Sequence, residues 1–443
     1  MSPAARLVLA ICSIAVFAVS LDATVLFVAF PAIRADFADV RLETISWVLN
    51  AYTVVFGALL VPAGRLADQL GRRRVYVVGL GVFVAASVAC ALAPSAGFLV
   101  AARALQGAGA AALLPASLAL VLAASEVRER ALVAGLWGAV GALAAAIGPS
   151  LGALLVDSLG WRSVFAINLP IGVVAAVLSM RLLSESRDAS ATDLPRAAPT
   201  FLLIAGATAI GLAVLDARAF EPATSLAAGL VGVLALAGFV VHELRAPAPS
   251  FDLRLFRDRG FATANVAVTI FSIAFAAMFL GFVFFLTNAW GYGLVRAGLA
   301  ISPGPLVVVP VAIVAGRVGA RFGHRALVRV GGLVYALGGL LILRALGSPP
   351  SFLTIWLPAV LVTGTGVGLL LPTLSGAAVR HLPAHRLGVG SAIHQALRQL
   401  GSVLGVAAAI VLSTTGIAFE GTFGLVVVAG LACTALASGL PTR

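Results

Sequence analysis

The chain has 443 residues, 61% of them hydrophobic and only 10% charged, with a formal charge of +12 and a mean hydropathy of +1.11. Repeated apolar runs of about 20 residues exclude a soluble domain and define an all-α polytopic membrane protein, because a helix satisfies its own backbone inside a bilayer. The positive charge is carried by arginine alone, since the chain has no lysine; a Walker-type phosphate lysine and a retinal-type Schiff base are both excluded, and arginines placed between spans report orientation rather than nucleic acid.

The first apolar run, 7–30, follows Arg6 in the manner of a signal peptide but is too long for a cleaved one, and it is read as a retained helix 1. Within Leu21-Asp22-Ala23-Thr24-Val25 it carries Asp22, and an ionisable residue inside a span is a functional hypothesis by default. Spans at 44–64 and 75–93 enclose Gly64-Arg65-Leu66-Ala67-Asp68-Gln69-Leu70-Gly71-Arg72-Arg73-Arg74, read as an eleven-residue polar loop. Gly64 and Gly71 supply backbone freedom at its ends, Asp68 is placed to accept from the arginines or from a helix N-terminus, and the arginines mark it as cytoplasmic.

Helix 4, at 98–122, places Arg103, Gln106, Gly107 and Ala110 on one face. Asp22 and Arg103 lie roughly 12 and 8 Å below the outer boundary at about 1.5 Å per residue, level enough to pair. The pair serves either proton chemistry or packing alone. Helix 5, at 131–157, aligns Gly141, Ala145, Gly148 and Gly152, and Pro149 removes a backbone bond, giving a smooth, kinked face for close helix contact. A sixth span, 162–183, opens with Trp161-Arg162-Ser163-Val164-Phe165-Ala166-Ile167-Asn168-Leu169-Pro170-Ile171-Gly172.

After a polar connector from Ser184 to Thr200 come spans at 200–216 and 224–242, then a basic connector from Glu243 to Gly260. Six more spans follow at 260–289, 297–316, 326–346, 351–378, 388–415 and 418–440, a six-two-six count of fourteen. The expected organisation is a bundle over 1–183, two inserted helices with their connectors over 184–259, and a second bundle over 260–443. In the second bundle Gly316-Arg317-Val318-Gly319-Ala320-Arg321-Phe322-Gly323-His324-Arg325 repeats the earlier loop with Ala320 in place of Asp68. No Asp or Glu occurs between Asp258 and Glu420. His394 and Arg398 on helix 13 share a face with Gly401 and Gly405; His394 fits a proton carrier or a structural histidine, and Arg398 an anionic group or carbonyls and water. Cys12, Cys90 and Cys433 read as small core residues. Only Arg34, Arg41, Arg162, Arg218, Arg296 and Arg344 of the 29 arginines fall outside when both termini are cytoplasmic, which sets the orientation.

The 64–74 stretch resembles the signature between helices 2 and 3 of the major facilitator superfamily. The helix 5 face resembles the antiporter signature of its proton-driven exporters, and the Asp22 motif with 161–172 resembles its fourteen-spanner drug:proton antiporter branch. The resemblance implies two six-helix bundles with two inserted helices, a cavity between the bundles, and proton-coupled export of hydrophobic or amphipathic small molecules by alternating access. On this footing Asp22 and Arg103 couple protons, and Gly64, Asp68, Gly71, Arg72 and Arg73 form an inner gate in which Asp68 meets the start of helix 13 near Gly388. Gly141, Gly148, Pro149 and Gly152 form the antiporter helix, and Gln106, His394 and Arg398 are candidate substrate or gate contacts. The expected partners are an amphipathic small molecule, protons and the lipid bilayer, with no cofactor, metal or nucleic acid, for a monomer in the inner (plasma) membrane. The alternatives are a proton symporter for uptake, against which the helix 5 face argues, and a non-transporting receptor or scaffold, whose expected soluble domain is missing because every connector is short. An enzyme is not expected, for no His/Asp/Glu cluster with metal spacing accompanies the spans.

Overall fold

The computed structural model describes residues 1–187, 195–216, 222–247, 249–380, 382, 386–413 and 417–440. Among them are 14 helices long and apolar enough to cross a membrane: α1 Pro3–Asp36, α2 Leu42–Leu70, α3 Arg72–Ala91, α4 Ala96–Ala123, α5 Leu132–Leu159, α6 Ser163–Leu182, α7 Ala197–Leu215, α8 Ala223–Arg245, α9 Arg259–Ala289, α10 Leu294–Arg317, α11 His324–Ala345, α12 Phe352–Val379, α13 Leu387–Ser413 and α14 Ala418–Gly439. Each expected span finds its helix. At α1, α4 and α9 a short polar side chain caps the start and takes up an otherwise unpaired N–H group. Ser2 accepts from Ala5 N at 3.1 Å with Pro3 following, Ser95 from Phe98 N at 3.3 Å, and Asp258 from Phe261 N at 2.7 Å.

One expectation is corrected. The stretch read as a polar loop from Gly64 is mostly helix: α2 continues to Leu70, the chain turns at Gly71 alone, and α3 starts at Arg72. Gly71 has φ +116°, a value side-chain-bearing residues avoid, so a single residue makes the turn. Gly64, in contrast, is an ordinary helical residue packed near Pro115. Charge marks this stretch as outside the bilayer, and hydropathy does not distinguish a loop from a helix that projects into water. The second copy behaves alike: the helix begun at Pro303 continues to Phe322, and Gly323, with φ +80°, is the joint before α11.

The chain divides into two compact units, Met1–Ile204 and Ala205–Arg443, with the boundary inside α7. In the first, α1 packs on α5, α4 and α6, α4 on α2 and α3, and α3 on α6. In the second, α9 packs on α13, α12 and α14, α12 on α10 and α11, and α11 on α14. Shifting each number in the first set by eight reproduces the second, so the duplication suggested by the repeated glycines extends to the whole helix-pairing scheme. The remaining helices, α7 and α8, pack on each other where Gly206 meets Leu236 and Gly232 meets Ile210. Leu226, Leu230, Val231, Val233 and Leu234 of α8 stay exposed, as suits a helix facing lipid.

Candidate functional site

Asp22 sits in the interior of the first unit and is only 3% exposed. Every other carboxylate found in a spanning helix among the described residues lies within one turn of an end, whereas Asp22 is in mid-helix on α1. Its Oδ2 accepts from Arg103 Nη1 at 2.6 Å. Its Oδ1 accepts from Gln106 Nε2 at 2.9 Å and from Asn168 Nδ2 at 3.0 Å. The carboxylate therefore has three donors drawn from α4 and α6, which repays part of the cost of burying its charge.

Arg103 is equally enclosed. Besides Asp22 it donates from Nε to Val48 O at 3.0 Å and from Nη1 to Gln106 Oε1 at 2.5 Å, and its guanidinium lies 4.2 Å from the Tyr52 ring centroid. The expected pairing of Asp22 with Arg103 is thus present. Gln106, singled out as a candidate substrate or gate contact, is fully buried and holds Asp22, Arg103 and Ser87 at once, with Nε2 donating to Ser87 Oγ at 2.8 Å. Ser87 Oγ also accepts from Asn168 Nδ2 at 3.3 Å and donates to Phe83 O at 2.8 Å.

Ser87 and Asn168 are absent from the sequence-derived site. Asn168 was available in the 161–172 stretch, but only the fold shows that the start of α6 delivers its amide to a carboxylate on α1. Ser87 carries no sequence signal. Three further polar groups are buried here in the first unit without a hydrogen-bond partner among the described residues: the Asn50 amide, the Tyr52 hydroxyl and Asn168 Oδ1.

The glycine face of α5 lies against α1 on either side of Asp22 in sequence. A Cβ on Gly141 would stand 3.0 Å from Ser20 Oγ, one on Gly148 would collide with Thr24 Oγ1, and one on Gly152 would be 2.8 Å from Val25 Cγ1. Pro149 lies inside α5 as expected. Small residues on α5 therefore set how close α1 can come, and with it the position of Asp22.

At the C-terminal end of α2, Asp68 Oδ1 accepts from Arg72 Nε at 2.9 Å and Nη2 at 2.8 Å, a pair that straddles the Gly71 joint. Arg73 turns away from Asp68 to the carbonyls of Ser179 and Met180 at the end of α6. Glu185, unmarked by sequence reasoning, caps α3: Oε1 accepts from Arg73 N at 3.0 Å and Oε2 from Arg74 N at 3.2 Å. Where α1 ends and α6 begins, the opening of the 161–172 stretch forms a clasp, with Trp161 Nε1 and Arg162 Nη1 donating to Asp36 Oδ2 at 3.0 and 2.9 Å.

The remaining candidates belong to the second unit. His394 is 3% exposed, its Nδ1 lies 3.1 Å from Asn265 Oδ1 and its Nε2 lies 3.1 Å from Ser375 Oγ. Arg398, one turn further along α13, is half-buried, and no hydrogen bond or ion pair to its guanidinium is found among the described residues. All three cysteines are buried and free.

A family model described as the Major Facilitator Superfamily matches residues 12–406. The methylenomycin A resistance protein of Streptomyces coelicolor is 36% identical over 405 residues, covering 89% of this chain and 83% of that protein. The multidrug resistance protein Stp of Mycobacterium tuberculosis is 34% identical over 88% of this chain and 72% of its own length. The puromycin resistance protein of Streptomyces alboniger is 35% identical over 89% and 79%. Among solved structures, a peptide transporter of the POT family superposes with a TM-score of 0.71 at 17% identity, over 98% of this chain and 95% of that one, a likeness of fold.

Proposed function

This chain belongs to the Major Facilitator Superfamily, and from that premise we propose that it is a proton-coupled exporter of hydrophobic or amphipathic small molecules working by alternating access. It is a multi-pass membrane protein, and its relatives are resistance and export transporters. The observation that carries proton coupling is the Asp22 cluster, a lone mid-helix carboxylate buried with an arginine and two amides.

A carboxyl group in apolar surroundings is favoured neutral, and the same group beside a guanidinium is favoured charged. Any rearrangement that changes the Asp22–Arg103 separation then takes up or releases a proton. The amides of Gln106 and Asn168 suit both states, because an amide donates to a carboxylate and accepts from a carboxylic acid. Asn168 Oδ1, buried without a partner among the described residues, offers such an acceptor. Proton entry is driven by about 2.3 kcal/mol per elementary charge per 100 mV of membrane potential, plus the pH term.

In this reading the α5 glycines let α1 slide without steric penalty, and the Asp68–Arg72 pair stiffens the inner joint that acts in gating. Both termini lie in the cytoplasm, where most of the arginines then also lie. Efflux from everted vesicles tests the proposal: transport of a panel of cationic, neutral and anionic amphipaths is expected to stop when the proton gradient is collapsed. Asp22→Asn, isosteric and unable to exchange a proton, is expected to keep downhill exchange and lose uphill export. Gradient-driven export that survives Asp22→Asn with its pH dependence intact would place the proton elsewhere.

A further inference from the structure

In the second unit, the seam between α9 and α13 carries polar groups that the proton reading does not use. The face of α13 that includes His394, Arg398, Gly401 and Gly405 lies on α9. A Cβ on Gly401 would stand 2.7 Å from Thr269 O, and His394 reaches Asn265. Arg398 is eleven residues from Leu387 and fifteen from Ser413, so it lies near mid-membrane, roughly 16 and 22 Å from the helix ends at about 1.5 Å per residue.

A guanidinium at that depth is costly unless something neutralises it. The spans α9 to α13 cannot do so, because the sequence from Arg259 to Phe419 contains no Asp or Glu, and Glu420 stands in the first turn of α14. The nearest titratable side chain on the same face, His394, is already bonded to Asn265 and Ser375 and carries no negative charge. A second observation points the same way. Ser272 of α9 is 1% exposed, its hydroxyl has no partner among the described residues, and its Cβ stands 3.0 Å from where a Cβ on Gly401 would be, one turn from Arg398. The seam thus pairs an arginine lacking a counter-ion with a buried hydroxyl lacking a hydrogen-bond partner.

We propose that the Arg398–Ser272 seam binds an anionic oxygen group of the exported molecule, so that amphipathic acids are a preferred substrate class. The inference rests on the reading of the chain as an exporter. Arginine suits the task because its planar fork matches a carboxylate or phosphate with two parallel hydrogen bonds, and the serine hydroxyl on the facing helix offers a further donor. The first unit does not compete for the acid: the Asp22 carboxylate would repel it, and Arg103 is already paired.

A matched pair tests this, an arylalkanoic acid and its methyl ester, each followed by efflux from everted vesicles and by equilibrium binding to the purified full-length protein. Loss of a charge-assisted pair weakens binding by about 10- to 100-fold, so Arg398→Gln is expected to raise Kd for the acid by that factor and to leave the ester within about twofold. Arg398→Lys, which keeps the charge and loses the fork, is expected to fall between. Ser272→Ala, which removes a group with no partner in the fold, is expected to weaken the acid by about threefold and spare the ester. Ester binding reports folding in every variant, and if Arg398→Gln loses it, the Arg398→Lys and Ser272→Ala comparison decides. Equal losses for acid and ester, or no change in either, overturn the inference. If the wild type exports the ester but refuses the acid, the inference alone fails; if it exports neither, nor any other amphipath of the panel, the exporter reading fails with it.

Discussion

The two units use one scheme of helix pairing to hold opposite chemistries. In the first, the interior around α1 and α4 encloses a carboxylate saturated by Arg103, Gln106 and Asn168. In the second, the spans from α9 to α13 contain no carboxylate at all, and a histidine and an arginine lie on the α9–α13 seam that repeats α1–α5. Duplication fixed where helices meet, through small residues whose contacts are backbone-deep, and left the polar positions free to diverge. Among the described residues, a carboxylate–arginine pair with both partners fully buried occurs in the first copy alone.

The largest expected effect contrasts the copies directly. Arg103→Ala leaves a buried carboxylate without its cation, and breaking such a pair costs about 3–5 kcal/mol; both yield and proton-driven export are expected to collapse. His394→Gln keeps a side chain able to reach Asn265 or Ser375 and is expected to hold export within about threefold, the loss of one neutral hydrogen bond. Vesicle transport with thermal melting of the purified proteins reads both. Export abolished by His394→Gln and retained in Arg103→Ala would reverse the assignment of proton chemistry to the first unit.

Next in size is the helix contact. Gly148→Val drives a side chain into Thr24, and a well-packed contact resists extra methyl groups by about 1–3 kcal/mol. The variant is expected to melt lower and to lose roughly tenfold in export, a factor that corresponds to about 1.4 kcal/mol, because α1 and Asp22 move together. Gly401→Val, the same insult to the α9–α13 seam against Thr269, is expected to lower melting comparably with less effect on the pH profile. A pH profile equally disturbed in both variants would blur the division between the units.

Much of this site could be read before any coordinates. Counting residues along helices 1 and 4 put Asp22 and Arg103 at one depth, because a straight helix converts sequence distance into height. The same arithmetic is blind to azimuth, so it did not show that Ser87 and Asn168 turn toward that pair. A serine and an asparagine in apolar spans give no periodic signal, and their role exists only through contacts with other helices, 19 to 146 positions away in the chain. The inner joint failed for a different reason. Arginines and an aspartate between apolar runs look like a loop to any hydropathy measure, yet Gly64–Leu70 is helical and Gly71 alone turns the chain.

Asn168→Leu sharpens the comparison at moderate size. It removes a donor to the charged form of Asp22 and is expected to cost about 1–2 kcal/mol of stability. Asn168 then no longer helps to set the charge balance at Asp22, and the acidic limb of the pH dependence of export is expected to move. The mirror change in the second unit, Asn265→Leu, removes a partner of His394 and is expected to leave that limb in place. A structural role alone for Asn168 would lower melting with an unmoved pH profile, so the two readings separate in one titration.

The smallest expected effect lies at the α2–α3 joint of the first unit. Glu185 accepts from two backbone N–H groups at the start of α3, where the helix dipole favours a negative charge, and its pairing with the mostly exposed Arg74 at 3.9 Å adds little. Glu185→Gln keeps an acceptor and loses the charge, so a cost of about 0.3–1 kcal/mol is expected. Glu185→Ala loses both acceptors and is expected to cost about 1–2 kcal/mol. Because Arg72 N also donates to Ser186 O at 2.9 Å and Arg73 holds the end of α6, the joint keeps other ties, and export is expected to persist in both variants. Glu185 thereby braces the α2–α3 joint of the unit that holds Asp22. Melting temperature and vesicle export measured on the same preparations decide the point: export lost in Glu185→Ala at an unchanged melting temperature would mean that the cap opens and closes during transport, and the joint would then be a moving part rather than a brace.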